Sequence, residues 1–279
     1  MSEPTTGPYL PWQPAAALRP LVPGMLGYDL PLPSPGCHRG LPSTRLVLVL
    51  AVGEPLRVGW HGDPGSDGRF WACLSGLHPW PADIHHRPRL AGIQLDLAPA
   101  AARALFGAPA GELAGALTEL AEFAPPLADL PERLAYATSW PERLRLVEAR
   151  LLDVLARAPE TAPRPEVGWA LRRLSQGAPV AGVAAEVGLS RRHLGALFRH
   201  EYGLTPKQYQ RIARFQACRR ELVRQARAGR PSLARVAAGC GYADQAHLTR
   251  EWTALAGCTP TEWLRAEFPF FQDTDPAAP

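Results

Sequence analysis

One unit of about thirty residues occurs twice in the C-terminal part of this chain, and that repeat limits the fold more than any other feature. VAGVAAEVGLSRRHLGALFRHEYGLTPKQY (180–209) aligns with LARVAAGCGYADQAHLTREWTALAGCTPTEW (233–263), with one extra residue after the turn of the second copy. Val183, Ala184 and Gly188 match Val236, Ala237 and Gly241. Ser190, Leu194, Phe198 and Gly203 match Asp244, Leu248, Trp252 and Gly257; Thr205, Pro206 and Tyr209 match Thr259, Pro260 and Trp263. Each match has a physical reason. A small alanine lets a second helix cross closely, and a glycine supplies the positive φ that a sharp corner needs. Ser190 and Asp244 are good N-caps for the helix that follows. The leucine and the aromatic four residues later share one face of that helix and turn to the core.

Such a unit is a helix-turn-helix, whose second helix is the one that enters the major groove of DNA. Its outward face carries Arg191, Arg192, Gly195, Ala196 and Arg199 in the first copy, and Gln245, Ala246, Thr249 and Arg250 in the second. Arginine suits a bidentate contact with guanine, and glutamine suits adenine. Gly195 and Ala196 have no hydrogen-bonding side chain, so the first copy leans on Arg191 and Arg192. Arg199, Lys207, Arg211 and Arg214 suit phosphates by pattern, with plain solvation as the alternative. Between the copies, TPKQYQRIARFQACRRELVRQA (205–226) opens on a cap and a first-turn proline and predicts a long helix. At ~1.5 Å per residue it spans ~30 Å, near the ~34 Å between successive major grooves.

Residues 166–268 resemble the DNA-binding domain of AraC/XylS-type transcription regulators over essentially the whole of that domain. The second unit has the family's layout nearly throughout, with Tyr242, Leu248 and Trp252 where aromatics are usual. The resemblance implies a sequence-specific regulator in which Arg192, Gly195, Ala196, Gln245, Ala246 and Arg250 face the bases. It implies no catalytic residue, no cofactor and no metal. The implied partners are double-stranded DNA, a small-molecule effector, a second copy of the chain and, for an activator, RNA polymerase.

Charge agrees with this division. Residues 1–164 hold 14 Arg against 16 Asp+Glu, whereas residues 165–264 hold 15 Lys+Arg against 7 Asp+Glu. A basic block beside a slightly acidic one is the footprint of a nucleic-acid module joined to something else; the bland alternative is a solvated cationic surface. The longest apolar run, near Leu46 to Val52, is far short of the ~18 residues of a membrane span. Five cysteines with no CxxC pattern predict free thiols, and no leader pattern opens the chain, so the cytoplasm is the expected location.

The fold class expected is α+β. A mixed β-rich and helical N-terminal domain (1–158), with a cupin-like fold as one reading, precedes a linker (159–167). An all-α domain of two helix-turn-helix units on a long linker helix (168–268) and a flexible tail (269–279) follow. RLVLVLAV (45–52), PLRVGW (55–60), RFWACLSG (69–76) and LAGIQLDL (90–97) are strand candidates. AAARALFG, AGELAGALTEL and PERLRLVEARLLDVLAR read as helices, the last with Leu144, Val147, Leu151 and Leu155 on one face, packed on its own domain rather than forming a dimer seam. HRGLPS and residues 85–113 resemble the N-terminal domain that accompanies this helix-turn-helix type in many actinobacterial regulators, which implies sensing or oligomerisation. Trp60, Trp71, Trp80 and Phe70 line either a core or an apolar pocket. The rival function is an enzyme fused to a DNA-binding module. It would use Cys37 in a Cys-His-Arg sequence, or a metal held by His38 with some of His61, His78, His85 and His86.

Overall fold

The computed structural model describes residues 8–158 and 163–271. The chain is α+β. Ten strands come first: β1 (Tyr9–Trp12), β2 (Gly24–Pro31), β3 (Gly36–Gly40), β4 (Leu46–Ala51), β5 (Leu56–Trp60), β6 (Gly68–Phe70), β7 (Ala72–Ser75), β8 (Ala82–His86), β9 (Arg89–Leu97) and β10 (Leu117–Glu119). They form two antiparallel sheets, ordered β1-β2-β9-β4-β7-β10 and β3-β8-β5-β6. Helices α1 (Leu120–Phe123), α2 (Leu130–Tyr136) and α3 (Trp140–Arg157) close the N-terminal part. Then follow α4 (Pro165–Ser175), α5 (Val180–Glu186), α6 (Arg191–Tyr202), α7 (Pro206–Arg227), α8 (Leu233–Gly239), α9 (Gln245–Ala256) and α10 (Pro260–Phe271).

The period-2 alternation of strands sorts residues between two apolar layers. On β4, Leu46, Leu48 and Leu50 join Ile93, Leu95 and Leu97 of β9 in the main core, which the helices cover. The opposite face, with Val49, Cys73 and Leu117, packs on Val58, Phe70, Ala82 and Ile84 of the smaller sheet. Strand β4 is apolar on both faces for that reason. The stripe on α3 lies inward as expected: Leu144, Val147 and Leu151 are buried, and Gly27 of β2 leaves room for the Trp140 ring.

Three expectations need correction. RFWACLSG is two strands, because β6 pairs with β5 in the small sheet and β7 with β4 in the large one. AAARALFG forms only a five-residue π-helical turn, Ala102–Phe106, ended by Gly107 in the left-handed region. AGELAGALTEL is no α-helix: a 3₁₀ turn at Ala110–Leu113 and Gly115 at φ +67° lead into β10 on the edge of the sheet. There Glu119 accepts hydrogen bonds from the Trp71 and Ala72 amides at 3.1 and 2.7 Å. Of the expected linker, residues 159–162 lie outside the described residues, and Pro165 already opens α4. Of the expected tail, residues 272–279 lie outside them too.

The four aromatics divide: Phe70 and Trp60 pack against the second apolar layer, and the other two lie outside it. Trp71 and Trp80 are 46% and 43% exposed, while Trp60 packs on His78 and Trp80. His78 is buried, its Nδ1–H donates to the Trp80 carbonyl, and burial holds its imidazole down at about 4. The unfolded chain takes up this proton near 6.5, the folded chain only near 4, so stability is lost as pH falls through that window. The gap is worth on the order of 3 kcal/mol at most. His78→Asn keeps a donor for Trp80 but does not titrate. Its unfolding free energy, followed by urea denaturation, is expected to fall less between pH 7 and pH 4.5 than that of the wild type.

Candidate nucleic-acid interface

The two repeat units have the same construction down to single hydrogen bonds. In the first, α5 buries Val183 and Ala184, Gly188 turns the corner at φ +67°, and the Leu189 amide donates to the Ala184 carbonyl at 2.9 Å. In the second, α8 buries Val236 and Ala237, Gly241 turns at φ +72°, and the Tyr242 amide donates to the Ala237 carbonyl at 3.0 Å. The second helix of each unit is capped as its sequence predicts: Ser190 Oγ accepts from the His193 amide, and Asp244 Oδ1 from the His247 amide. Both end on a left-handed glycine, Gly203 and Gly257.

Packing leaves one face of each of these helices outside. Leu194, Phe198, Leu248 and Trp252 are fully buried, whereas Arg191, Arg192, Ala196, Arg199, Gln245, Ala246 and Arg250 are exposed. Gly195 is half-buried, with open space where a Cβ would stand. Thr249 is also half-buried, and its hydroxyl donates to the Gln245 carbonyl at 2.9 Å, so its proton is used inside the helix. All nine candidate positions therefore lie on α6 and α9, on the sides their leucines and aromatics leave free.

The rod between the units is α7, whose 22 residues start from a full capping box between Thr205 and Gln208. Phe198 packs edge-on against Tyr209 and Trp252 against Phe215, so both outward helices are fastened to this one helix. Two of its arginines are engaged in holding α9. Arg211 donates two hydrogen bonds to Glu251, at 2.8 and 3.1 Å, and keeps that carboxyl below the usual carboxylate range. Arg214 lies 4.0 Å from Glu251 and over the Tyr242 ring. Lys207 is exposed.

Sequence reasoning overlooked the histidines three residues past each cap. His193 is exposed, and His247 lies edge-on to Tyr242, with Nδ1 accepting from the Ala243 amide at 3.4 Å. Their matched place in the repeat was the available signal. The N-terminal residues show another character. Partial burial and the neighbouring Asp83 push the Cys37 thiol up, the reverse of an activated nucleophile. His38 is held down at about 4 by burial, and its ring lies 5.9 Å from that of His86. Among the described residues, no group of three or more His, Cys, Asp or Glu is placed to hold a metal ion.

Residues 183–266 match the family model described as a helix-turn-helix domain. These residues form a helix-turn-helix domain. No curated protein matches the chain significantly. Among solved structures, the chain is similar to ToxT from Vibrio cholerae, at 9% identity over 86% of this chain and 97% of that one, with a TM-score of 0.49. It is also similar to the C-terminal domain of AraT, a response regulator from Geobacillus stearothermophilus: 16% identity over 42% and 97% of the two chains, TM-score 0.35. A third is the DNA-binding domain of AdpA, the global transcriptional factor, in complex with a target DNA: 26% identity over 41% and 100%, TM-score 0.33. No helix among the described residues is long and apolar enough to cross a membrane.

The caps and corners of this helix-turn-helix domain give a direct test of its construction. Asp244→Ala is expected to lower the unfolding free energy of the full chain by ~1 kcal/mol, while Asp244→Ser stays near wild type. Gly241→Ala, forced into the left-handed region, is expected to destabilise as well. Chemical denaturation curves distinguish the three.

Proposed function

We propose that this chain is a sequence-specific DNA-binding transcription regulator that reads two successive major grooves with α6 and α9. The observation that carries this reading is the mounting of two capped, outward-facing helices on one 22-residue rod, about 33 Å long. Phosphate contacts from a basic surface supply position and much of the affinity, and base contacts supply the sequence. Arg191, Arg192, Gly195, Ala196 and Arg199 face one groove; Gln245, Ala246, Thr249 and Arg250 face the next. The second helix is the richer reader. Gln245 and Arg250 can each make a paired hydrogen bond to one base, whereas Gly195 and Ala196 offer only a close, apolar fit.

The N-terminal domain acts as the regulatory partner of the DNA-binding domain rather than as a catalyst, and shares one continuous core with it. A small-molecule effector for that domain, a homodimer and, for an activator, contact with RNA polymerase belong to the same reading, as does a place in the cytoplasm.

Selection of duplexes from a random-sequence pool by the full chain is expected to return two half-sites about one helical turn apart. Recovery of no preferred sequence would overturn the reading. Against the selected site, Arg250→Ala or Gln245→Ala is expected to cost ~1–3 kcal/mol and to flatten the preference at one base pair. Lys207→Ala is expected to weaken all duplexes alike and to make the salt dependence shallower by about one ion.

A further inference from the structure

The N-terminal domain grips both helix-turn-helix units at once, from the side away from their outward faces. In the first unit, Arg103 donates two hydrogen bonds to Glu201, both 2.7 Å, in the last turn of α6. Glu201 is only 5% exposed, whereas Arg103 keeps part of its side chain in solvent. The backbones also meet here: a Cβ on Gly111 would stand 2.2 Å from the His200 carbonyl oxygen, and one on Gly203 2.1 Å from the Ala114 Cβ. In the second unit, Arg39 donates through a guanidinium nitrogen to the Ala256 carbonyl at 3.0 Å, in the last turn of α9. Its amide donates to Glu267 of α10 at 2.9 Å, and its Nε lies 3.0 Å from Asp83, which also holds His61. Midway, Gln216 of α7 accepts from the amide and hydroxyl of Thr44 at 3.1 and 2.7 Å and donates to Ser43 at 3.1 Å.

The places of contact matter. Arg103 and Arg39 approach α6 and α9 at their C-terminal ends, where free carbonyls and the helix dipole favour a cation. Apart from Arg199, in the last turn of α6 with its side chain exposed, the candidate base readers occupy the first half and middle of the same helices, so the grip and a DNA duplex can be held together. A single helix such as α7 bends and twists under load. Fixing its middle and both attached units to a second rigid body turns that rod into a braced frame.

We infer that the N-terminal domain sets the distance and angle between the two recognition helices, and with them the half-site spacing the protein accepts, with Arg103 and Arg39 as positioning residues remote from DNA. This rests on the two-groove reading above. One base pair of added spacing moves a half-site ~3.4 Å along the axis and turns it by ~35°, a change that a braced frame resists and a free rod follows.

The test uses the full chain and duplexes carrying the two selected half-sites moved apart or together one base pair at a time, with a single half-site as control. The wild type is expected to lose about tenfold in affinity per base pair of displacement, comparable to a mismatched base pair. In Arg103→Gln and Arg39→Gln that spread is expected to shrink to about threefold or less, with single half-site binding unchanged; Arg103→Lys is expected to retain most of the spread. Where Arg103→Gln, which leaves Glu201 buried without its partner, fails to fold, Arg39→Gln and Gln216→Ala decide the matter at the other two anchors. Folded variants that keep the full tenfold spread, or that lose single half-site affinity in parallel, overturn the inference. A wild type that binds paired half-sites equally at every spacing overturns the brace alone and leaves the two-groove reading standing, whereas a wild type that binds none overturns both.

Discussion

Everything in the DNA-binding half depends on aromatic side chains anchoring the outward helices to α7. Phe198 meets Tyr209 and Tyr202, and Trp252 lies among Phe215 and Trp263, each pair of rings tilted edge to face. Such rings bury large apolar areas and prefer this geometry, which adds direction to a force that otherwise has none. With the rings fixed, the face that each of α6 and α9 turns outward from α7 is set. The glycine corners and the caps then decide only where each helix starts and stops. A recognition helix must present its face within a fraction of an ångström, and two core rings per unit on a common rod provide that rigidity.

The two units are built alike but use their charges differently. In the second, Glu251 draws Arg211 and Arg214 inward, so two of the cations on α7 bind α9 rather than face solvent. In the first, the acidic residue near the end of α6 is Glu201, and its arginine comes from the other domain. One recognition helix is thus tied to the rod by a local pair, and the other to the N-terminal domain by a distant one. Their outward faces differ in the same sense: Gln245 and Arg250 beside the locally tied helix end, Gly195 and Ala196 on the helix with the long-range tie. A short-sided helix gains specificity from how it is held as much as from what it carries.

The DNA-binding half was legible because its determinants are local. A cap lies three residues from the amide it binds, a corner glycine stands beside its corner, and an apolar stripe repeats every turn. The repeat doubled each of these signals. The N-terminal half was harder for the same reason reversed. The helical spacing of AGELAGALTEL lost to a sheet edge that β7 left open, and the unbroken run RFWACLSG concealed a change of sheet at Trp71. Strand pairing places Leu117 beside Ser75 and Gly36 beside His86, and such separations leave no trace in local composition. The contacts of Arg39 with Ala256 and of Arg103 with Glu201 were out of reach altogether, since the partners lie 217 and 98 residues apart along the chain.

Those distant contacts also determine how an N-terminal signal could reach DNA. Coupling between two sites equals the free energy by which one ligand biases a state that the other can feel. The two halves meet through a shared apolar core, one arginine–glutamate pair, one guanidinium on a helix-terminal carbonyl, and one glutamine between Ser43 and Thr44. Removing Arg103 is the costly side of that pair, because the Glu201 carboxylate would stay desolvated. Arg39 is as enclosed as Arg103, with side chains 24% and 23% exposed, and it binds Ala256, Glu267 and Asp83 together. Both helix-turn-helix units are thus held through arginines of like exposure, and a shift of the N-terminal sheets would be felt at α6 and α9 alike.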